Sequence, residues 1–208
     1  MKKVALFIDG ENFKYKIKKI LEDRDLHETD LSILDFNIDG LFKKVLKDIK
    51  LDEKNYYSAK LHFYKETPKK SKELIDIQRK LKRNLTNCDF NYVVSGNVRL
   101  QESVDKLLGR KSYVFYEKGV DVRIAVDLVS YAYEKAVGKV YLCSSDSDLQ
   151  PAIHMAKRKG LKVIYVGFED TPNIGLTKTT DKTILIRDSE VLECFERFDP
   201  WRKNDSAD

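Results

Sequence analysis

Two short apolar runs constrain this chain more than any other feature. Val4–Ile8 and Val140–Cys143 are apolar throughout, and each stops at a turn carrying aspartate before a helical pattern begins. A run without polar alternation suits a strand buried on both faces, as in a parallel sheet. The first run meets Asp9-Gly10-Glu11-Asn12, and the second meets Ser144-Ser145-Asp146-Ser147-Asp148. Gly10 lets the chain turn sharply. Ser and Asp are good N-caps because their oxygens accept the free N–H groups of a first helical turn. Both acidic turns therefore stand where a core strand hands over to a helix, the edge of an open α/β sheet at which ligands bind. Two readings of Asp146 and Asp148 follow: they cap the helix, or they bind a hard cation such as Mg²⁺ or Mn²⁺.

The rest of the chain repeats the same alternation. Strands are expected over Lys2–Asp9, Tyr57–Tyr64, Asp89–Val94, Lys139–Cys143, Leu161–Val166 and Thr183–Ile186. Helical spacing is found over Glu11–Glu22, Ile38–Ile49, Asp121–Ala136, Asp148–Lys159 and Val191–Phe198. Arg24–Asp39 reads as a loop, and Thr171–Thr180 as a polar segment with one helical turn. Asn97–Glu102 and Lys111–Tyr116 are β-prone, with Gly109-Arg110 as the turn of a hairpin. Tyr113, Phe115 and Tyr116 read as hairpin packing in preference to base-stacking rings. The fold class is α/β: a mainly parallel central sheet with helices on both faces.

Lys65–Arg83 carries eight Lys or Arg against three acids. Pro68 breaks, Ser71 can cap, and Leu74, Ile77 and Leu81 form the inward stripe. Lys69, Lys70, Lys72, Arg79, Lys80, Lys82 and Arg83 are thus either a solvated helix face or a phosphate-contacting surface for nucleic acid. The net charge of +5 permits an anionic partner without requiring one. Three dispersed cysteines form no metal motif, and with no signal-like or membrane-length apolar stretch they suit the reducing cytoplasm. A homodimer through a sheet edge is compatible with this plan.

Asp9, Asp121 and the Asp146/Asp148 pair all fall at expected strand ends or helix starts. Several carboxylates gathered at one point do not all stay ionised without a cation. Mg²⁺ or Mn²⁺ would supply that charge and activate water against phosphorus. Asn12 lies one helical step beyond Asp9, within reach of the same spot. Asp127 stands between Val126 and Leu128 and needs a partner. His27, His62 and His154 have no companion motif, and no Walker loop or GxGxxG is present.

Three segments in order carry a resemblance: FIDGEN at Phe7–Asn12, KGVDVRIAVDL at Lys118–Leu128, and SSDSDLQPAI at Ser144–Ile153 followed by Gly160-Leu161-Lys162-Val163. The chain resembles the NYN domain of the PIN-like superfamily, which includes the bacterial LabA-type proteins. The resemblance spans Lys2 to Ile186. It implies a single PIN-like, Rossmann-like domain over residues 1–188; the short helix and polar tail expected over 189–208 lie outside the resemblance. It also implies a metal-dependent ribonuclease using Mg²⁺ or Mn²⁺. By motif match Asp9, Asp121, Asp146 and Asp148 are the acidic metal-site residues, and Asn12 orients water or phosphate. Asp127, Ser144, Ser147 and Lys118 are supporting residues. The rival readings are an RNA- or protein-binding module on the same fold and a phosphoacceptor domain of the receiver type. The late position of Asp146-Ser147-Asp148 disfavours the second of these.

Overall fold

The computed structural model describes residues 2–23, 33–104 and 111–195. The Gly109-Arg110 turn, most of the loop expected from Arg24, His27 and the tail from residue 196 lie outside the described residues.

Chain order runs β1 (Val4–Asp9), α1 (Gly10–Glu22), α2 (Ile38–Val45), β2 (Glu53–Lys60), α3 (Pro68–Asn87), β3 (Asn91–Val104) and β4 (Lys111–Lys118). It continues with α4 (Val120–Glu134), β5 (Lys139–Cys143), α5 (Gln150–Arg158), β6 (Lys162–Phe168), α6 (Ile174–Thr179), β7 (Lys182–Ile186) and α7 (Asp188–Leu192). The strands form one sheet in the order β4-β3-β2-β1-β5-β6-β7. Every pairing is parallel except β3 with β4. The expected α/β architecture is therefore present.

Alternation along each strand builds a core on both sides of this sheet. Leu6 and Ile8 face α1, α2 and α3, where Phe13, Ile17, Leu41, Phe42 and Leu85 are buried. Ala5 and Phe7 face α4, α5 and α6, where Ile124, Leu128, Ile153 and Leu176 are buried. β1 is thus covered on both faces, which is why its sequence shows no polar alternation.

Strand order reverses between β1 and β5. From β1 the chain adds β2 and β3 on one side, then crosses back through α4 to lay β5 on the other. Such a reversal leaves a crevice at the carboxyl ends of the two central strands. Ile8 pairs with Cys143 there, so Asp9 and Ser144 leave the sheet side by side.

Several boundaries differ from the sequence reading. β2 spans Glu53–Lys60, earlier than Tyr57–Tyr64, because the polar Asn55 is buried and bonded across the sheet to Asn91 (3.0 Å). β3 is one long strand where two were expected. A bulge near its centre keeps it continuous, with Gly96 at φ +72° so close to the Lys118 carbonyl that no side chain fits. Ser71 does not cap α3: Thr67 holds that place, and the buried Ser71 hydroxyl instead accepts from the Tyr64 N–H (3.1 Å). α7 starts before Val191, and Phe195 packs on Phe36 with ring centroids 4.8 Å apart, so the segment to residue 195 belongs to the core.

Candidate active site

Asp9 is the hub of the crevice, and it is only 3% exposed. It caps α1 by accepting from the Asn12 backbone N–H (3.2 Å). Its other oxygen accepts from Asn12 Nδ2 (2.6 Å) and from the Ser144 hydroxyl (3.1 Å). The Ser144 oxygen accepts in turn from the Asp146 N–H (3.1 Å). Asp146 accepts from the Asp148 N–H (2.8 Å) and so caps a 3₁₀ turn, Ser147–Leu149. Capping and site building are thus done by the same carboxylates, because the acids that satisfy the helix termini are those held at the strand ends.

Burial pushes the Asp9 carboxyl upward, the Asn12 and Ser144 hydrogen bonds pull it down, and the nearby Asp146 charge pushes it up again. A buried carboxylate beside a second one is a group whose charged form a cation would stabilise.

Asn12 links the two strand ends. Its amide donates to Asp9, and its carbonyl oxygen accepts from the Ser145 hydroxyl. The Ser145 carbonyl accepts from Asn173 Nδ2 (2.9 Å), which ties the turn after β5 to the start of α6. Lys16, one turn beyond Asn12, lines the same small cavity and donates to the Thr171 hydroxyl (2.6 Å). Burial lowers its ammonium pKa, and Lys19 adds to that.

The other expected residues sit further out. Asp121 is half-buried in the first turn of α4 on the same sheet edge, outside the hydrogen bonds that join Asp9, Asn12, Ser144 and Asp146. Asp148 is exposed and lines a separate open depression with Ser147, Gln150, Pro151 and His154. Asp127 has the partners its setting demanded: the buried Tyr57 hydroxyl donates to it (3.0 Å), as does Arg123 Nε (2.9 Å). It fastens α4 to β2. Lys118 is exposed at the end of β4.

Lys69, Lys70, Lys72, Arg79, Lys80, Lys82 and Arg83 are all exposed on α3, and Arg79 pairs with Asp76. That helix starts beside the carboxyl edge and runs away from it. Thirteen residues separate Lys70 from Arg83, roughly 20 Å of axial rise. Only the first turns of α3 lie near the carboxyl edge, beside Tyr64 and Phe115.

Sequence reading missed Glu117. It lies on β4 in register with the inward-facing Tyr113 and Phe115, and that alternation was the available signal. Its carboxylate accepts from the Ala59 N–H (3.3 Å). Burial, then the charges of Glu11 and Asp9, push its pKa up to about 7, against Lys14 and the Ala59 hydrogen bond. An acid with a raised folded pKa binds its proton more tightly in the native than in the unfolded state. Its contribution is therefore fully present below the ordinary 4.5 and is lost as pH rises to about 7. The variant Glu117→Gln keeps an acceptor for Ala59 without the charge. It should stabilise the metal-free protein at pH 8 by about 1–2 kcal/mol, after a discount for partial exposure, and change little at pH 4. Thermal midpoints at the two pH values test this; an equal difference at both would refute it.

Among the described residues, no three His, Cys, Asp or Glu side chains converge closely enough to enclose an ion. Mg²⁺ does not need such a cage, because it keeps several waters and binds through one or two carboxylates plus substrate phosphates. The buried Asp9 and the half-buried Asp146 fit that mode as hard oxygen donors side by side at the strand ends. All three cysteines are free. Among the described residues no helix is long and apolar enough to cross a membrane.

Known proteins share this plan. An uncharacterized protein of Methanocaldococcus jannaschii is 30% identical over 122 residues, 56% of this chain. The alignment takes in 50% of that protein, so the chain spans about half the length of this relative. The crystal structure of a protein of unknown function from Vibrio parahaemolyticus superposes with a TM-score of 0.57 and 17% identity, covering 89% of this chain and 93% of that one. At that identity the likeness concerns the fold alone. The NYN domain matches residues 3–187, which takes in the whole sheet and the crevice at its centre. The chain belongs to the NYN domain family of the PIN-like nuclease superfamily.

Proposed function

We propose that this protein is a metal-dependent ribonuclease that hydrolyses RNA phosphodiester bonds internally at the β1/β5 crevice. The observation that carries this reading is the chain of contacts from Asn12 through Asp9 and Ser144 to the Asp146 backbone, which brings the Asp146 charge close to the buried Asp9 carboxylate at a topological switch point. A divalent cation bound there, Mg²⁺ or Mn²⁺, would lower the pKa of water and offset charge building at phosphorus. The protein's own part is positioning. Asp9 and Asp146 supply negative oxygen donors, Ser144 sets their separation, and Asn12 holds an amide at the mouth of the site. Asp121, half-buried in the first turn of α4 on the same sheet edge, would add a further oxygen donor for the ion. Lys118 and the first turns of α3 supply cations for backbone phosphates.

Water as the nucleophile leaves a definite signature. The RNA 2′-hydroxyl is not the attacking group, so products carry no 2′,3′-cyclic phosphate. Cleavage of an end-labelled RNA should require Mn²⁺ or Mg²⁺, stop in EDTA, and give only linear phosphate ends on a denaturing gel. Cyclic-phosphate ends, or cleavage undiminished by EDTA, would overturn the reading. RNA binding without any cleavage would instead assign the fold a binding role.

A further inference from the structure

β4 shows two chemically different faces. Its inward residues are half-buried. Phe115 meets Tyr64 edge-on with centroids 6.0 Å apart and has the Lys70 ammonium 5.5 Å above its ring. The outward face is bare. Tyr116 lies opposite Arg99 of β3, and Lys118 lies opposite Asn97. Asn97 is 2.9 Å from Nε2 of His62, which extends the same face across the end of β2. Tyr116 is 47% exposed, and Arg99, Lys118 and His62 are exposed too. Among the described residues neither Arg99 nor Lys118 forms an ion pair.

Stability does not account for this arrangement. An uncovered ring forgoes the free energy of burial, and Arg99 and Lys118 are diagonal like-charged neighbours, which repel. A polyanion with exposed bases resolves both features. Rings left open stack on unpaired bases, and free cations meet the phosphates between them. The face also adjoins the crevice. Glu117, between Tyr116 and Lys118, turns inward to Ala59, and Lys118 leads through Gly119 into the helix that bears Asp121.

We propose that the outward face of the β3–β4 hairpin guides single-stranded RNA to the acidic edge, with a base on Tyr116 and phosphates on Arg99 and Lys118. The proposal rests on the ribonuclease reading above and specifies its substrate as single-stranded. Duplex RNA keeps its bases stacked inside the helix and offers no face to the ring.

Binding of a short fluorescent single-stranded RNA, measured by anisotropy in EDTA, separates the proposals. Tyr116→Ala should weaken binding about 5- to 150-fold, and Tyr116→Phe should leave it near wild type. Arg99→Gln should reduce the log–log salt slope by about 0.7. A duplex of the same sequence should bind without sensitivity to Tyr116→Ala. All the altered side chains are exposed, and Arg99→Gln reports independently if Tyr116→Ala fails to fold. Unchanged single-strand binding in both variants, beside a wild type that binds and cleaves, would overturn this face and leave the nuclease standing. A wild type that neither binds nor cleaves RNA would overturn both. If the wild type is a dimer by light scattering and Tyr116→Ala is a monomer, the face holds a second copy and not RNA.

Discussion

Asp9→Asn should retain the fold and lose metal-dependent RNA cleavage by about 10²–10³-fold, the usual loss when a group aimed at transition-state charge is removed. Asparagine caps a helix as well as aspartate does, so the Asn12 N–H keeps its acceptor and α1 keeps its start. What disappears is the buried negative charge and the second oxygen, so Asn12 Nδ2 and the Ser144 hydroxyl must turn to other acceptors. Asp146→Asn should behave alike, since its role in the 3₁₀ turn is again one that an amide oxygen can fill. A structural residue would give the opposite pattern, with stability falling and activity falling only in proportion. Wild-type rates in either variant, at equal metal and RNA, would remove that carboxylate from the mechanism.

The second large effect is expected at Gly10. A Cβ there would lie 2.5 Å from the Tyr57 carbonyl oxygen and 2.5 Å from Cε1 of Tyr56. Neither neighbour can give way. The carbonyl belongs to β2, which pairs with β1, and Tyr56 is wholly buried with its hydroxyl donating to the Gly10 carbonyl (3.2 Å). Gly10→Ala must therefore lift the start of α1 off the sheet. Overpacking of this kind typically costs about 1–3 kcal/mol, and a clash with fixed backbone belongs at the upper end. For a domain of this size that is a fall of roughly 6–12 °C in the thermal midpoint. Because Asn12 rides on the same turn, cleavage should fall as well. A thermal midpoint within 2 °C of wild type, roughly the effect of less than 1 kcal/mol, would show that the close approach is not as tight as described.

Parts of this molecule were plain in the sequence, and the reasons are physical. β1 and β5 are covered on both faces, so they carry uninterrupted apolar runs, and their ends carry the turn residues that start α1 and the 3₁₀ turn. Asp9, Asn12, Ser144 and Asp146 were therefore identifiable one by one and meet as expected. β2 was misplaced because its buried polar residue is satisfied only by a neighbouring strand, a contact that local pattern does not encode. Ser145 and Asn173 escaped notice for a similar reason: their hydrogen bonds to Asn12 and to each other's loops join segments far apart in the chain. Tyr116 was grouped with Tyr113 and Phe115 as packing. The alternation of β4 separates it from them, with Phe115 covered by Tyr64 and Tyr116 left open. Asp148 shows the converse limit. It is two residues from Asp146, yet the 3₁₀ turn sends it to a different depression.

Asp9 and Asp146 are proposed to form one cation site. The most direct measurement is a calorimetric titration of the RNA-free protein with Mn²⁺, at pH 8, beside Asp9→Asn and Asp146→Asn. Saturable binding in the wild type that weakens at least tenfold in both variants is the predicted result. Binding that is unchanged by either substitution would place the ion elsewhere and contradict the central claim.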